Sequence, residues 1–315
     1  MIRNKFILIS TFCFFSNHLF ANDISALLDQ MASAVRLLNY QGTFIYQQGE
    51  RLETMQITHL GENHHERELL SSLSGEAREV FRDDQSVICV IPGAASIDKR
   101  TNKGGFSSRF AISPIAIQQN YTLIKEKKSR IASQDCQNIS IKPHDNLRYG
   151  YTLCIDLKTA LPLRVDMKNQ HNKRISSIIF TKIETGKGIN MPIPQQIAQR
   201  SKMSVLRHQP SKIMPFEQSG WEIKQYPKGF KIQHYEQRTT AKNKLIHHIV
   251  LNDGLVGVSI YIENMSKDGL LKGPSKMGAI NIFSHHLNRY QIIAVGEVPT
   301  ETLKQLAVQL SKKTP

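Results

Sequence analysis

The sequence predicts an α+β protein, with a large antiparallel sheet and helices followed by a smaller α+β unit. Between residues 40 and 182 short β-prone runs follow one another with tight turns. Such turns favour antiparallel pairing, because parallel strands need long crossover connections. After residue 200 the composition changes, and a second series of short strands closes on an amphipathic helix, Thr300 to Lys312.

The first residues have the features of a secretory signal. Met1–Lys5 is basic, Phe6–Phe15 is almost wholly apolar, and Leu19–Ala21 offers a cleavage site after Ala21. The alternative is an uncleaved membrane anchor, but the apolar run is shorter than the ~20 residues of a spanning helix. We therefore expect residues 1–21 to be a signal peptide and the mature chain to be exported.

The chain is basic, with a formal net charge of +15 at pH 7. Removing the signal takes away Arg3 and Lys5 and no acidic residue, so +15 becomes +13. An exported basic protein can face phosphate-rich lipid or an acidic protein, or simply have a well-solvated surface. No aromatic and basic repeat of the kind that binds single strands is present, so no nucleic acid partner is expected.

The segment Leu37–Ile57 joins an amphipathic helix to a β-hairpin with a polar, Gly-containing turn. Asp23 is expected to cap that helix, which runs to Leu38. In the hairpin, alternate side chains, among them Phe44 and Met55, form a wide apolar face that needs a cover. Further strands are predicted at Glu76–Arg82, Gln85–Ile91, Tyr121–Lys125, Cys136–Ile141, Tyr149–Asp156, Leu161–Met167 and Arg174–Lys182.

Two stretches with little periodicity divide the chain. Lys99–Gln118 contains a Gly pair and predicts a mobile loop. Residues 204–218 are polar and basic with two prolines and predict a linker between a large domain, 22–203, and a small domain, 219–315. The small domain contains a strong hairpin signal at the turn Asn252–Gly254.

The mature chain would keep three cysteines. If the hairpin around the turn Pro143–Asn146 is symmetric about Asp145, Cys136 and Cys154 lie directly opposite each other, at a separation slightly long for a disulfide. The oxidising compartment permits the bond, but three buried free thiols are an equal alternative. Cys89, between alternating apolar neighbours, is expected to be a core thiol.

No known catalytic motif is apparent in the sequence. It has no nucleophile elbow, zinc-binding HExxH, phosphate-cradling loop or dinucleotide fingerprint. Three His pairs start at His64, His247 and His285, but adjacent strand residues point to opposite faces and cannot readily share one ion. Asp83-Asp84 is typical of a turn. We expect no metal, no cofactor and no enzymatic activity.

What remains is a surface suited to holding a ligand. A curved antiparallel sheet with an apolar inner face can enclose a lipid-like molecule, and an ordinary core packed by the first helix is the alternative. The candidate lipid-binding residues are Tyr40, Phe44, Tyr46, Met55, Ile57 and Phe81.

Motifs in both halves resemble one known family. The motifs are Leu38–Phe44, Leu52–His59, Arg78–Val80, Arg148–Tyr151, Leu153–Asp156, Leu161–Asp166, Trp221 with Pro227–Phe230, Asp253–Leu255 with Val258–Tyr261, and Val295–Pro299. Their order and content are similar to those of the RseB/MucB family over nearly the whole mature chain. The chain departs from the family at 99–120 and 202–217, and in its Cys136/Cys154 pair.

The resemblance implies a periplasmic negative regulator of the envelope-stress sigma factor. Such proteins bind the periplasmic part of a membrane-anchored anti-sigma factor and shield it from regulated proteolysis. Lipopolysaccharide, another acylated lipid or a mislocalised lipoprotein would release it, and the large domain would be a half-open sheet similar to the carriers LolA and LolB. Assembly as a homo-oligomer stays open. The residues carried over as partner contacts are Gly254, Leu255, Ser259 and Tyr261.

Two other functions are compatible with the residues. A periplasmic lipoprotein or lipid carrier is the first, although a carrier has no need of a second domain that ends in its own helix. An envelope hydrolase is the second, and the missing nucleophile context counts against it.

Overall fold

The computed structural model of the chain describes residues 18–62, 65–84, 86–91, 94–98, 105–110, 112–191, 205–207, 211–240, 243–265 and 272–313. Most of the expected signal peptide lies outside these ranges. Within them, no helix has both the length and the apolar character needed to cross a membrane.

The described chain folds into two main sheets of unequal size, and the predicted fold class, α+β with a smaller second domain, is confirmed. The large sheet has twelve strands in the order β12-β6-β5-β4-β3-β2-β1-β11-β10-β9-β8-β7, antiparallel except for β12 with β6. Its strands are β1 (Tyr40–Gln48), β2 (Arg51–Glu62), β3 (His65–Ser72), β4 (Glu79–Arg82), β5 (Val87–Ile91), β6 (Ala94–Asp98), β7 (Tyr121–Ile131), β8 (Gln134–Pro143), β9 (Gly150–Asp156), β10 (Pro162–Lys168), β11 (Arg174–Thr185) and β12 (Val205–Arg207).

Helix α1, His18–Leu37, covers one face of this sheet, which we call the inner face. Leu28, Met31 and Val35 of the helix are buried against it. The helix begins ahead of Asp23, so the prediction that Asp23 caps it is wrong. The Asp23 carboxylate instead forms an ion pair with Lys125 of β7.

The predicted hairpin is confirmed as β1 and β2. The turn has two residues, with Gln48 opposite Arg51 and Gly49 in the left-handed region at φ +64°. The other edge of β1 pairs with β11, the last long strand of the large sheet. This long-range pairing brings the beginning and end of the large domain together and buries Phe44 at the centre of its core.

The segment expected to be a loop, Lys99–Gln118, has regular structure in its described part, while residues 99–104 and 111 lie outside the described residues. A 3₁₀ turn, Ser107–Phe110, is followed by a short helix α2, Pro114–Ile117. Phe110 and Ile117 are buried in the large core. The sequence pattern did not predict these elements, because apolar anchors spaced without regular periodicity are invisible to it, and the mobility of the segment stays a prediction.

The small domain has a seven-stranded antiparallel sheet in the order β13-β15-β16-β17-β20-β19-β18, a two-stranded pair β14-β21, and helix α3, Thr300–Val308. The expected helix to Lys312 is too long, since its last residues form β21 and pair with Trp221–Ile223. The strands are β13 (Lys212–Ile213), β14 (Trp221–Ile223), β15 (Lys231–Thr239), β16 (Leu245–Asn252), β17 (Gly257–Asn264), β18 (Gly273–Met277), β19 (Ile280–Leu287), β20 (Tyr290–Gly296) and β21 (Leu310–Lys312).

Parts of the expected linker are extended. β12 pairs with β6 at one edge of the large sheet, and β13 pairs with β15 at one edge of the small sheet. The exact domain boundaries, 22–203 and 219–315, stay a prediction.

Cys136 and Cys154 are joined by a disulfide between neighbouring strands β8 and β9, with Cα atoms 5.4 Å apart. They do not lie directly opposite each other, so the hairpin is not symmetric about Asp145. Cys136 faces Asp156 and Cys154 faces Asn138, so the bond is diagonal. Both cysteines are buried, and Cys89 is a free, half-buried thiol.

Candidate functional site

A cavity of about 380 Å³ lies between the two domains. Side chains of β1, β9, β10 and β11 form its large-domain wall, and β17, β19 and β20 form the opposite wall. Its volume is in the range of small-molecule sites, which are mostly apolar with a few polar groups. The lining residues are Tyr46, Arg109, Phe110, Ile112, Tyr151, Leu153, Val165, Met167, Ser176, Ile178, Leu255, Val256, Gly257, Ser259, Tyr261, Ile280, Val295, Gly296 and Glu297.

A second cavity, of about 340 Å³, belongs to the large domain alone. It lies on the inner face over β1 to β4 and is lined by Phe44, Met55, Leu70 and Val80 among others. Tyr46, Arg109 and Ile178 line both cavities, which are therefore neighbours.

The segment that carries Arg109 is held over the inner face by a buried carboxylate. Glu68 of β3 accepts hydrogen bonds from the backbone N–H groups of Phe106, at 2.7 Å, and Ser107, at 2.9 Å. A Cβ atom at Gly105 would lie 2.8 Å from the Glu68 carboxylate oxygens, so a larger residue there would make this carboxylate shift. Glu68 thus anchors the start of the 3₁₀ turn.

Aromatic contacts also hold this segment against the sheet. Phe44 stacks on Phe106 with ring centroids 5.0 Å apart, and Phe106 meets Phe110 edge-on at 5.0 Å. Phe44 also contacts Phe180 of β11 at 5.4 Å. Arg109, between the two anchoring phenylalanines, reaches Glu297 of the small domain at 3.5 Å. The segment therefore contacts the sheet core and the second domain at once.

The candidate lipid-binding residues divide into three groups. Tyr46 lines both cavities, and Phe44 and Met55 line the second. Tyr40 and Ile57 are fully packed in the large core. The prediction that Phe81 lies on the inner face is wrong.

The reason lies in the strand period. Val80 and Arg82 of β4 line the inner-face cavity, so Phe81 between them points to the other face. There it forms a separate small cluster with Leu69 and Ile88.

A buried polar network joins the domains beside the first cavity. The Asp253 carboxylate accepts hydrogen bonds from Arg148 Nε at 2.6 Å and from the Tyr121 hydroxyl at 2.7 Å. Asn120 Nδ2 donates to the Asp253 carbonyl at 3.2 Å. Arg148 also donates to Asp145 and to the carbonyl of Lys228, and its guanidinium lies 5.1 Å from the Phe230 ring centroid.

These contacts fix the protonation states at the junction. Burial lowers the pKa of Arg148, but hydrogen bonds to Asp253 and Asp145 outweigh this and raise it. Burial, together with the charge of Asp253, raises the pKa of Tyr121 far above its usual value. Tyr121 therefore stays a hydrogen-bond donor to a carboxylate that Arg148 neutralises.

The candidate partner-binding residues also lie at this junction. Gly254 has φ +102°, and a Cβ atom there would be 3.0 Å from the Ala116 carbonyl oxygen. Leu255 packs on the large core. Ser259 and Tyr261 line the cavity between the domains. In this arrangement the first two residues contact the chain's own large domain.

Sequence reasoning missed the residues that organise the junction. Arg148 and Asp253 lie in motifs that were recognised, but nothing in the sequence pairs them across 105 positions. Glu68 and Arg109 had no signal, because one is in an ordinary strand and the other in a segment without periodicity.

The His pairs supply no metal site among the described residues. The His247 imidazole is 2.6 Å from the Tyr235 hydroxyl, and His248 contacts Glu236 and Ser259. His65 pairs with Asp84, while Asp83 accepts a hydrogen bond from the Ser86 backbone N–H at 2.7 Å. Asp83 thus serves the turn, as predicted, whereas Asp84 bonds residues at the start of β3.

Both domains match established family profiles: the MucB/RseB N-terminal domain over residues 23–204 and the MucB/RseB C-terminal domain over residues 215–311. The chain belongs to the MucB/RseB family. Among its relatives, the Sigma factor AlgU regulatory protein MucB of Pseudomonas aeruginosa is 27% identical over 296 residues, covering 92% of this chain and 91% of that protein.

A second relative, the Sigma-E factor regulatory protein RseB of Haemophilus influenzae, is 24% identical over 315 residues, covering 97% of each chain. A crystal structure of MucB in complex with MucA(peri) has the same fold, with a TM-score of 0.69 at 24% identity, covering 93% of this chain and 100% of that one. These MucB/RseB relatives are named as regulatory proteins of sigma factors.

Proposed function

We propose that this chain is a periplasmic regulator that binds the periplasmic part of a membrane-anchored anti-sigma factor. While bound, it shields the anti-sigma factor from regulated proteolysis and so restrains the envelope-stress response. An acylated lipid such as lipopolysaccharide, or a mislocalised lipoprotein, releases it. This action is binding and release and needs no chemical step.

Family membership over both domains carries this proposal. The MucB relative is a regulator of the sigma factor AlgU, and MucB has been crystallised with MucA(peri). The signal-like N-terminus supports a periplasmic location, where such an anti-sigma segment would be accessible.

The position of the cavities supports release by a ligand. An acyl chain in the cavity between the domains would contact both walls, and one in the second cavity would press on the segment that carries Arg109. If ligand and anti-sigma factor favour different domain arrangements, each weakens binding of the other by the same factor. A tenfold effect corresponds to about 1.4 kcal/mol of differential binding.

The cavity geometry selects among the candidate residues. We propose Tyr46, Phe44 and Met55 as lipid contacts, because these three line the cavities. Ser259 and Tyr261 are open to a partner segment that enters the space between the domains. Gly254 and Leu255 would contact a partner only after the domains separate.

The test uses the mature full-length chain and the purified periplasmic segment of the anti-sigma factor from the same cell. Calorimetry should show binding, and lipopolysaccharide should weaken it. Deleting the protein in the cell should raise the stress regulon modestly without added stress. No binding, together with an unchanged regulon, would contradict the proposal.

A carrier of lipid or lipoprotein is the second candidate, because the inner-face cavity is formed by the large domain alone. A carrier would transfer a fluorescent lipoprotein between vesicles and would leave the stress regulon unchanged when deleted. A regulator would show the opposite pair of results.

A further inference from the structure

Three polar side chains of the small domain form a continuous row across neighbouring strands. Glu236 lies on β15, His248 on β16 and Ser259 on β17. One Glu236 carboxylate oxygen is 3.1 Å from His248 Nδ1, and His248 Nε2 is 3.1 Å from the Ser259 hydroxyl oxygen. A nucleophile within hydrogen-bond reach of a base, which a third group orients, is the geometric signature of a nucleophilic triad.

Strand register explains why the row forms. Glu236 is directly opposite His248 on the antiparallel pair β15–β16. Ser259 is opposite Val250, two residues along from His248, so it lies on the same face as a diagonal neighbour. The Tyr261 ring, opposite His248, stacks on the imidazole at a centroid distance of 4.4 Å with the planes 9° apart.

The partners assign the proton positions. If Glu236 is ionised it can only accept, and His248 then carries its proton on Nδ1. Nε2 is then an acceptor and takes the hydrogen bond from the Ser259 hydroxyl. Glu236 and His248 are buried, at 1% and 6% exposure, whereas Ser259 is half-buried and lines the cavity between the domains. The nucleophile is thus the member of the row that a ligand can reach.

We propose that Ser259, His248 and Glu236 form an esterase site that cleaves carboxylic esters with an apolar acyl chain. The aliphatic wall of the cavity, which includes Leu153 and Ile178, would hold the acyl chain. Arg109, which also lines the cavity and pairs with Glu297 at 3.5 Å, is the cationic residue that would stabilise the oxyanion. This activity does not require the partner, although a partner segment in contact with Ser259 would occupy the same cavity.

The reaction is an ordinary acyl transfer to water. The Ser259 oxygen attacks the ester carbonyl carbon as its proton passes to His248 Nε2. The tetrahedral intermediate collapses, the C–O bond to the alcohol breaks, and the alcohol leaves with that proton. Water, activated by the same imidazole, then hydrolyses the acyl-serine and releases the carboxylic acid, which restores the three side chains.

Active-site labelling tests the proposal on the unaltered mature chain. A fluorophosphonate with an octyl chain should phosphonylate Ser259, as peptide mass spectrometry would detect, and hydrolysis of p-nitrophenyl octanoate should stop once Ser259 is modified. Because the wild-type protein is used, the result does not depend on a variant folding. Absence of Ser259 labelling, in a preparation where a known serine hydrolase is labelled, would overturn the proposal.

Variants separate catalysis from packing. Ser259→Ala should abolish labelling at this position and ester hydrolysis, and His248→Gln should lower hydrolysis by about 100-fold or more. Ser311→Ala is the matched control, since Ser311 is a half-buried serine of the same domain that bonds a carboxylate, Glu222, at 2.9 Å. It should leave hydrolysis unchanged. Equal hydrolysis by wild type and Ser259→Ala would also overturn the proposal.

Discussion

Arg148 Nε donates a hydrogen bond to the Asp253 carboxylate at 2.6 Å, and neither side chain is exposed to solvent. The pair crosses the junction, since Arg148 lies two residues before β9 of the large sheet and Asp253 directly follows β16 of the small sheet. A buried charge needs its partner, because desolvation is costly and only a close opposite charge with further hydrogen bonds compensates for it. The relative position of the domains is therefore tied to this pair.

Asp253→Ala should destabilise the protein strongly. It would leave the buried Arg148 with the partly exposed Asp145 as its remaining carboxylate partner, and it would remove the acceptor for the backbone N–H groups of Leu255 and Val256, both at 2.9 Å. The expected loss in the free energy of unfolding is about 3–5 kcal/mol. Urea unfolding would measure it. Glu301→Ala is the control, because its pair with Lys304, at 4.0 Å, is exposed and should contribute only about 0–1 kcal/mol.

Gly254→Ala should loosen the contact between the domains. The backbone at Gly254 is in the left-handed region, and the new methyl group would meet the Ala116 carbonyl. Gly257→Ala in the same hairpin is the comparison, since its φ is negative and its nearest contact would be an ordinary 3.7 Å from the Leu251 carbonyl oxygen. Hydrogen exchange at residues 116–121 should rise in the first variant only. Equal exchange in both would show that the close approach is unimportant.

Glu68→Ala should release the start of the segment over the inner face. Two backbone N–H groups, of Phe106 and Ser107, would lose their acceptor, so trypsin should cleave faster after Arg109. Glu66→Ala removes an exposed pair with Arg36 instead and should leave the cleavage rate unchanged. If both variants are cleaved at the wild-type rate, the phenylalanine contacts alone hold the segment.

The disulfide should stabilise the protein, because it lowers the conformational entropy of the unfolded chain. Cys136 and Cys154 are 18 residues apart, and a closed loop of this size corresponds to about 3 kcal/mol in the chain-entropy model. The double variant Cys136→Ala/Cys154→Ala should unfold at correspondingly lower urea, and reductant should have no further effect on it. Without reductant, alkylation of the mature wild-type protein after unfolding should label Cys89 only. Labelling of all three cysteines would contradict the bond.

Local patterns predicted much of the large sheet but little of the junction. Alternation and turn chemistry placed the β1–β2 hairpin, because period 2 and a Gly-containing turn act over neighbouring residues. The position of Phe81 failed for a related reason: alternation places neighbouring residues on opposite faces but does not say which face is inner. For a strand as short as β4, the pairing with its neighbours decides which side chains face inward.

The contacts that form the site are between distant residues. Glu236, His248 and Ser259 come together only through the register of three strands, and Arg148 and Asp253 meet only across the junction between the two domains. No spacing in the sequence marks such a set. The segment with Phe106 and Phe110 was missed similarly, because its anchors have no regular period.

Stability should fall as the pH drops below about 6.5, with His247 as one cause. Burial, and secondly the charge of Lys312, lower the pKa of His247 below its usual 6.5. Between the folded and unfolded pKa values the unfolded chain binds more protons, so the free energy of unfolding rises with pH in that window. The contribution of His247 to this free energy reaches its full value above pH 6.5. His247→Gln should therefore flatten the dependence of the urea midpoint on pH between 5 and 7, whereas replacing the exposed His171 by Gln should not. An unchanged slope in His247→Gln would show that other groups, such as His285, whose pKa burial also lowers, dominate the acid sensitivity.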